Sequence, residues 1–450
     1  MSAPSISEKS SGTDAARTAD GSNSALQHNS DPEMPVQQAE TGDEKSSLVS
    51  PDGGLAAWLV VLGAWCTSFC SFGWLNSIGV FQEYYQNDLL KQYSPSTVSW
   101  IVSLQIFFIL GMGPVVGMIY DRYGTRWLLL VGTTLHILGV MMTSLGKEYY
   151  QILLAQGVCS AIGVSAIFQP AFTAVNGWFT TKRGLAFGVL VTGSSTGGVV
   201  LPIMVQHLIP RLGFGWAMRI CGFTMLGLLI IANLTVRPFY PPRPQKMETA
   251  EMIKPLKELD FILVVLGAFF FCYGFFPPIN YIQVGALDAG VNPNLSQYLI
   301  PILNAASLFG RLTTGIASDR LGAYNIFVVV CTLSGIWILT IWLTNTGAAA
   351  TVIFAILFGY SSAAYVSLLP HLIMVISPKN FADIGWRTGI VFLAMAVGGF
   401  TTNPINGAIM ENSGGWKGLK IFSGVFCLAG AFFVLLVRVR RVGFNLFVKI

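Results

Sequence analysis

GMIYDRYGTR (residues 117–126) and GIASDRLGAY (residues 315–324) are two versions of one sequence pattern. Each follows one long apolar run and precedes another, so each is predicted to form a loop between two membrane-spanning helices. The two copies lie about half a chain apart in the same orientation, which is typical of a six-helix unit that occurs twice. The sequence therefore predicts an all-α membrane protein of twelve helices, arranged as two pseudo-symmetric six-helix halves.

The overall composition agrees with a membrane protein and excludes an ordinary soluble enzyme. Hydrophobic residues make up 53% of the 450 residues and charged residues only 10%, whereas soluble domains carry roughly a quarter charged residues. The seven cysteines lie inside apolar runs without the spacing of metal ligands, so they are interpreted as core residues. No metal, cofactor or nucleic acid is expected; the expected partners are a lipid bilayer and a small-molecule substrate.

The apolar runs along the chain are each long enough to cross a bilayer, which takes about 20 residues. The predicted spans are 57–81, 97–118, 127–146, 151–175, 185–208, 217–236, 260–283, 298–318, 324–344, 349–376, 387–410 and 418–438. Residues 51–236 and 260–438 are thus the predicted halves, joined by a cytosolic linker, 237–259, that contains PFYPPRP. Residues 1–50 are polar and nearly free of aromatic residues, which predicts a disordered cytosolic tail. Residues 439–450 are predicted to form a second cytosolic tail.

The distribution of basic residues predicts the orientation. With twelve spans, 16 basic residues after residue 50 fall on the side of the two termini and 6 on the opposite side. Because basic residues accumulate in cytoplasmic loops, both termini are predicted to be cytosolic. We expect the plasma membrane, with the vacuolar membrane as the alternative. Asn294, in an Asn-Leu-Ser sequon of a predicted external loop, is a candidate for glycosylation.

The loop pattern resembles the motif G-x-x-x-D-R-x-G-x-R of the major facilitator superfamily. The first copy fills every position of this motif, with Gly117, Asp121, Arg122, Gly124 and Arg126. The second copy keeps Gly315, Asp319, Arg320 and Gly322 but has Tyr324 in place of the last Arg. The resemblance implies a gating role, in which the Asp lies at a helix N-terminus and pairs with Arg. A carboxylate at that end of a helix is stabilised by free N–H groups and by the helix dipole.

Two further segments resemble the monocarboxylate porter branch of that superfamily, particularly its fungal members. PDGGLAAW (residues 51–58) is similar to the D-G-G-x-x-x-W motif that precedes the first helix of that branch. WFTTKRGLAFGVLVTGSSTGG (residues 178–198) is similar to its helix 5 signature. The GSSTGG part lacks the Lys that follows in a phosphate-binding loop, so it is interpreted as a small-residue face for close helix packing.

Arg311 is the leading candidate for binding substrate. Ionisable groups at membrane depth are costly and so are functional candidates, and a guanidinium can bind a carboxylate through two hydrogen bonds. In the animal monocarboxylate porters that this branch includes, the matching Arg works with an Asp one turn earlier and a Lys in helix 1 to couple substrate and proton. The resemblance implies that Ser307 and Asn76 occupy those two positions in this chain. This departure argues against simple proton–lactate symport and favours a larger, aromatic organic molecule.

Several other polar or aromatic residues lie within predicted spans and could contact substrate. They are Trp74, Gln169, Tyr273, Asn280, Asn304, Tyr365 and His371. His371 could also carry a co-transported proton, because imidazole titrates near neutral pH. A packing or interhelical hydrogen-bonding role is the competing interpretation for each of them.

The leading function is secondary active transport by alternating access, of a carboxylate, a vitamin or a secondary metabolite. A membrane-embedded enzyme is disfavoured, since the sequence contains neither HExxH nor GxSxG. A non-transporting nutrient receptor of the same fold and a proton-coupled monocarboxylate symporter are the alternatives. The sequence leaves substrate, direction, coupling ion and oligomeric state open.

Overall fold

The computed structural model describes residues 51–240, 252–344, 347–377, 383–411, 414–443 and 448. Within these ranges every regular element is helical. The predicted tail 1–50 and the middle of the predicted linker lie outside the described residues.

Eleven helical segments of the described chain are long and apolar enough to cross a membrane. One of them, Arg183–Thr235, has 53 residues. At about 1.5 Å per residue it would extend far beyond a bilayer core of about 30 Å. Gly213 interrupts it with φ 78° and ψ 164°, a conformation outside the helical region. The segment therefore forms two helices, so the described residues contain twelve helices of membrane-spanning length, the number that the sequence predicts.

We number the crossings in chain order. They are α1 Gly54–Phe81, α2 Thr97–Tyr123, α3 Arg126–Thr143, α4 Tyr149–Val175, α5 183–212, α6 214–235, α7 Leu259–Asp288, α8 Pro293–Leu321, α9 Ala323–Trp342, α10 Ala348–Ile376, α11 Ile384–Met410 and α12 Gly415–Val442. The predicted spans match these helices to within several residues at most ends. The largest differences are of five residues, at the end of α2 (123 rather than 118), the end of α7 (288 rather than 283) and the start of α8 (293 rather than 298). Because α12 continues to Val442, residues 439–442 are helical, although they were assigned to the C-terminal tail.

The two sides of the bundle differ. We call the side that contains Asp52, Asp121 and Asp319 the closed face, and the opposite side, with Trp100 and Met410, the open face. Odd-numbered helices run from the closed to the open face and even-numbered helices run back. At the closed face α2 packs against α11, and α5 packs against α8.

Glycine allows both of these closed-face contacts. A Cβ atom added to Gly385 of α11 would lie 2.7 Å from the carbonyl oxygen of Gly117 in α2. Gly184 of α5 and Gly315 of α8 approach each other in the same way, backbone against backbone. Such distances are shorter than real carbon–oxygen contacts, so these positions admit no side chain while the closed face stays shut.

Candidate functional site

Two aspartates join the halves at the closed face. Asp121, near the end of α2, accepts hydrogen bonds from the backbone N–H groups of Gly385 (3.0 Å) and Trp386 (2.9 Å) at the start of α11. Asp319, near the end of α8, accepts hydrogen bonds from Gly184 (2.6 Å) and Leu185 (2.8 Å) at the start of α5. The first N–H groups of a helix lack intrahelical partners, so each carboxylate caps a helix of the other half.

The arginines of the two motifs do not pair with Asp121 in the described part of the chain. Arg122 lies over the ring of Tyr123, 5.1 Å from its centroid, and Arg126 and Arg320 are exposed. Both oxygens of Asp121 already accept backbone N–H groups, which stabilise the carboxylate without a cation. Among the described residues, Asp121 therefore caps a helix as the family resemblance implies but does not pair with a motif arginine in this conformation. Tyr324, at the last position of the second motif, is buried, and its hydroxyl donates to the carbonyl of Leu372 (3.1 Å).

A cavity of about 850 Å³ lies between the halves. Its lining reaches the open-face ends of α2, α7 and α11, at Trp100, Leu287 and Met410. Most of its wall is apolar or aromatic, as in pockets for drug-sized molecules, which measure about 300–1,000 Å³. The protein is thus shut at the closed face and accessible from the open face.

Arg311 is the one charged side chain among the described residues that line this cavity. Its guanidinium donates hydrogen bonds to the carbonyl of Val191 and the hydroxyl of Ser194, both in α5. The residue is only 8% exposed. Its Nε has no hydrogen-bond partner, and none of the ion pairs between described residues involves it. A buried cation without a counter-charge is costly, so the site favours an anion from the cavity.

Neutral polar groups continue from Arg311 toward the open face. Asn76 lies where α1 is interrupted, just after the π-helical turn Phe69–Gly73, and its amide donates to Asn304 of α8 (3.2 Å). Ser307, one turn before Arg311, contacts the hydroxyl of Ser195 in α5 (2.6 Å). π-helical turns occur frequently at functional sites, because they redirect side chains. The positions that resemblance aligned with Lys and Asp thus lie together in the cavity wall as neutral groups.

The other predicted substrate residues divide into two groups. Tyr365 and Asn280 line the cavity together with Asn76, Asn304 and Ser307, although the hydroxyl of Tyr365 donates to the carbonyl of Ala268 (2.6 Å). The described lining does not include Trp74, Gln169, Tyr273 or His371. Gln169 bonds the carbonyl of Gly113, and Tyr273 bonds Thr401. His371 lies in α10, nearer the closed face than Tyr365.

Sequence reasoning missed several wall residues. Most are aromatic or apolar side chains that resemble lipid-facing ones in the sequence; they include Phe72, Trp100, Phe275, Phe276 and Met395. Asn403 is one of several polar residues in the wall that were also missed, and its amide accepts a hydrogen bond from Asn280 (2.8 Å). A polar amide within the predicted span 387–410 was a signal that could have found it.

The glycosylation candidate and the GSSTGG segment have clear positions. Asn294 is exposed at the open face, in the short helical turn Pro293–Ser296, while Ser296 of its sequon is buried. Gly197 faces Gly73 of α1, where an added Cβ atom would lie 2.8 Å from the Gly73 Cα atom. The GSSTGG segment therefore packs closely against another helix, as interpreted from the sequence.

Fold and cavity together define a multi-pass membrane transporter with a central site for a small molecule. The model of the Major Facilitator Superfamily matches residues 61–385, and the chain belongs to that superfamily. The MFS transporter asaE of Aspergillus flavus is 53% identical over 416 residues, which cover 92% of this chain and 93% of that protein. The Fujikurins efflux protein of Gibberella fujikuroi is 47% identical over 421 residues, covering 93% and 90%.

A solved structure shares the fold. The transporter FucP in its outward conformation superposes with a TM-score of 0.66, at 13% sequence identity, over 84% of this chain and 98% of that chain. At this identity the similarity concerns the fold alone. The predicted superfamily, helical fold and transporter class are confirmed.

Proposed function

We propose that this transporter exports an amphipathic organic anion by alternating access, with the acidic group at Arg311 and the apolar body against the cavity wall. The observation that carries the proposal is the unpaired, buried guanidinium of Arg311 within a large and mainly apolar cavity. Export is supported by the relatives, since the similar Gibberella protein is named for efflux of fujikurins. A fungal secondary metabolite with an acidic group is the substrate class that fits.

The closed-face contacts supply the gate of this proposal. Alternating access requires that the two halves rock about a midplane site, so the closed face must open when the open face shuts. Asp121 and Asp319 would then leave the starts of α11 and α5, and the arginines of the motifs would be free to pair differently in the other state. The glycine pairs Gly117 with Gly385 and Gly184 with Gly315 allow close packing of the helices when the closed face shuts again.

Orientation and coupling belong to the same proposal. We place the closed face in the cytosol, following the basic residues, and the protein in the plasma membrane, so that a substrate released at the open face leaves the cell. The linker and both tails are proposed to be cytosolic. Proton coupling through a cavity carboxylate has no support, because the described lining contains no Asp, Glu or His.

The test is comparative metabolite profiling of medium and cytosol from cells with and without the protein. We expect acidic, aromatic compounds to fall in the medium and rise in the cytosol when the protein is absent. Arg311→Ala, at unchanged membrane abundance, should reproduce the loss, and Arg311→Lys should retain part of the export because it keeps the charge but not the planar fork. Unchanged profiles would favour a non-transporting receptor, and undiminished export by Arg311→Ala would exclude the anion site.

A further inference from the structure

The segment before α1 is bonded to the segment before α5. The carboxylate of Asp52 accepts hydrogen bonds from the hydroxyl and N–H of Thr180 and from the N–H of Thr181 (2.8 Å). Asp52 itself has φ 50°, a left-handed conformation that few non-glycine residues adopt, and Gly53 and Gly54 follow with φ 154° and 84°. The strained backbone indicates that the position of this carboxylate is fixed by its bonds.

The segment before α7 has an equivalent contact with the start of α11. Glu258 accepts two hydrogen bonds from Arg387, each 2.7 Å long. Arg387 is fully buried, also donates to Asp383 (2.8 Å), and lies 5.3 Å from the ring of Phe261. Paired guanidinium and carboxylate groups in this fork geometry are strong and directional.

The starts of α5 and α11 are therefore each contacted both by an acid of their own half and by an acid of the opposite half. Asp52 of the first half accepts from Thr180 and Thr181 just before α5, and Asp319 of the second half accepts from Gly184 and Leu185 in its first turn. At the start of α11, Glu258, which directly precedes α7 of the second half, accepts from the guanidinium of Arg387, and Asp121 of the first half accepts from the N–H groups of Gly385 and Trp386. Only Asp121 and Asp319 can leave when the halves separate, because Asp52 and Glu258 move with the helix that they bind.

We propose that Asp52 and Glu258 are positioning residues of the gate, which fix the starts of α5 and α11 so that Asp319 and Asp121 of the opposite half can cap them. The inference deepens the alternating-access proposal and rests on it. It gives the D-G-G-x-x-x-W segment a role, since Trp58 of that segment also packs edge-to-face on Phe179, at a centroid distance of 5.4 Å.

The test is a double-mutant cycle with a conformational readout in the full-length protein. Spin labels at Trp127 and Leu256, which are 65% and 48% exposed near the closed face of the two halves, report the separation of the halves by pulsed dipolar spectroscopy. Cys159, the one cysteine that is not fully buried, is replaced by Ser in this background. The variants are Asp52→Ala, Asp319→Asn, their combination, and Asp52→Ala with Asp121→Asn.

We expect Asp52→Ala and Asp319→Asn each to raise the ratio of open to shut closed face about threefold to tenfold, the range of a lost helix cap. The double variant should raise this ratio little more than either single variant does, because both substitutions weaken the same α5–α8 contact. In Asp52→Ala with Asp121→Asn the two substitutions affect different contacts, so the ratio should change by the product of the two single effects. Asp88→Asn, an exposed acid at the open face, is the matched control and should leave the distances unchanged.

Two outcomes overturn the inference while the gate itself stands. They are a multiplicative effect of Asp52→Ala with Asp319→Asn, and a lower thermal stability of Asp52→Ala with unchanged distances, which would be a structural role only. If Asp52→Ala does not fold, Thr180→Val removes one donor to the same carboxylate and must shift the ratio in the same direction. If Asp319→Asn alone leaves the distances unchanged, the proposed gate fails instead.

Discussion

Each of the two closed-face contacts, α2 with α11 and α5 with α8, has its own capping aspartate and its own pair of closely packed glycines. The two contacts differ in the residues that lie on the cavity side. In the α5–α8 contact, the side chain of Arg311 binds α5, and the Arg311 carbonyl oxygen lies 2.7 Å from a Cβ atom added to Gly188. In the α2–α11 contact no charged residue among those described takes that place, and the amide of Gln169 donates to the carbonyls of Gly113 (2.9 Å) and Gly385 (3.4 Å). One contact therefore contains the proposed substrate residue, and the other does not.

This difference indicates how binding and gating are connected. Under the proposed function, an anion bound at Arg311 would compete with the hydrogen bonds from its guanidinium to Val191 and Ser194, and would so act directly on the α5–α8 contact. A ligand can shift a conformational equilibrium only by binding the two states differently. We expect substrate binding to weaken or strengthen the α5–α8 contact directly. The α2–α11 contact is expected to hold the closed face shut without sensing the substrate.

The largest expected effect comes from filling the glycine contacts. Gly184→Val and Gly385→Val should each reduce transport at least about tenfold, because overpacking at a backbone contact prevents the closed face from shutting. Initial rates of substrate efflux at matched membrane abundance check this. Gly227→Ala is the control, since a Cβ atom there has no neighbour within 4 Å; normal rates in the valine variants would contradict the role of both contacts.

The next effect distinguishes the two aspartates. Asp121→Asn and Asp319→Asn should each slow transport about threefold to tenfold, since each carboxylate uses both oxygens as acceptors, whereas asparagine has one acceptor oxygen and no charge at the helix N-terminus. Ligand binding should persist in both variants. Only Asp319→Asn should also change substrate affinity, because its contact includes Arg311. Equal changes in affinity in the two variants would break the proposed distinction.

A smaller effect separates the neighbours of Arg311 from those of Gly385. Ser194→Ala removes a hydroxyl that accepts from Arg311, and we expect it to change KM by a few fold, the size of one hydrogen bond. Gln169→Leu should lower the maximal rate with an unchanged KM, because Gln169 lies outside the described cavity lining. Measuring both parameters in membrane vesicles decides the matter, and an altered KM in Gln169→Leu would place that residue in substrate binding after all.

The smallest effect concerns pH. The side chain of Arg387 donates hydrogen bonds to Glu258 and holds the pKa of that carboxyl below its ordinary value of 4.5. A lowered folded-state pKa contributes stability that is present above the ordinary pKa and is lost as the pH falls through the folded pKa. Thermal unfolding of purified wild type should therefore lose stability below about pH 4.5 by this contribution, and Glu258→Gln should flatten that dependence. An identical pH profile in the variant would remove Glu258 as its source.

The twelve crossings were predictable from sequence because membrane helices must be long and apolar, and repeated motifs give their arrangement. The position of Asp121 at a helix start was also implied by the resemblance, but its actual partners were not. Gly385 and Trp386 lie more than 260 residues away, and no local pattern predicts which helix packs there. The same limit explains why Asn76 and Asn304 were found separately but not as a pair.

Candidates chosen as polar residues in apolar runs were sorted only by the structure. Asn304 faces the cavity, whereas Gln169 satisfies two backbone carbonyls at the α2–α11 contact. Both are buried amides within long apolar helices, so the surrounding sequence does not distinguish them. Which face of a helix meets the cavity depends on tertiary packing. The aromatic wall was missed for the converse reason, since Phe275 and Met395 resemble lipid-facing residues.

The central claim, that Arg311 binds the acidic group of the substrate, is tested most directly by equilibrium binding to purified protein. The ligands are an acid identified by metabolite profiling and its methyl ester, each titrated calorimetrically against wild type and Arg311→Ala. We expect wild type to bind the acid at least about tenfold more tightly than the ester, and Arg311→Ala to bind the two alike, because the charge-assisted hydrogen bonds are gone. An Arg311→Ala protein that still prefers the acid as strongly as wild type would contradict the claim.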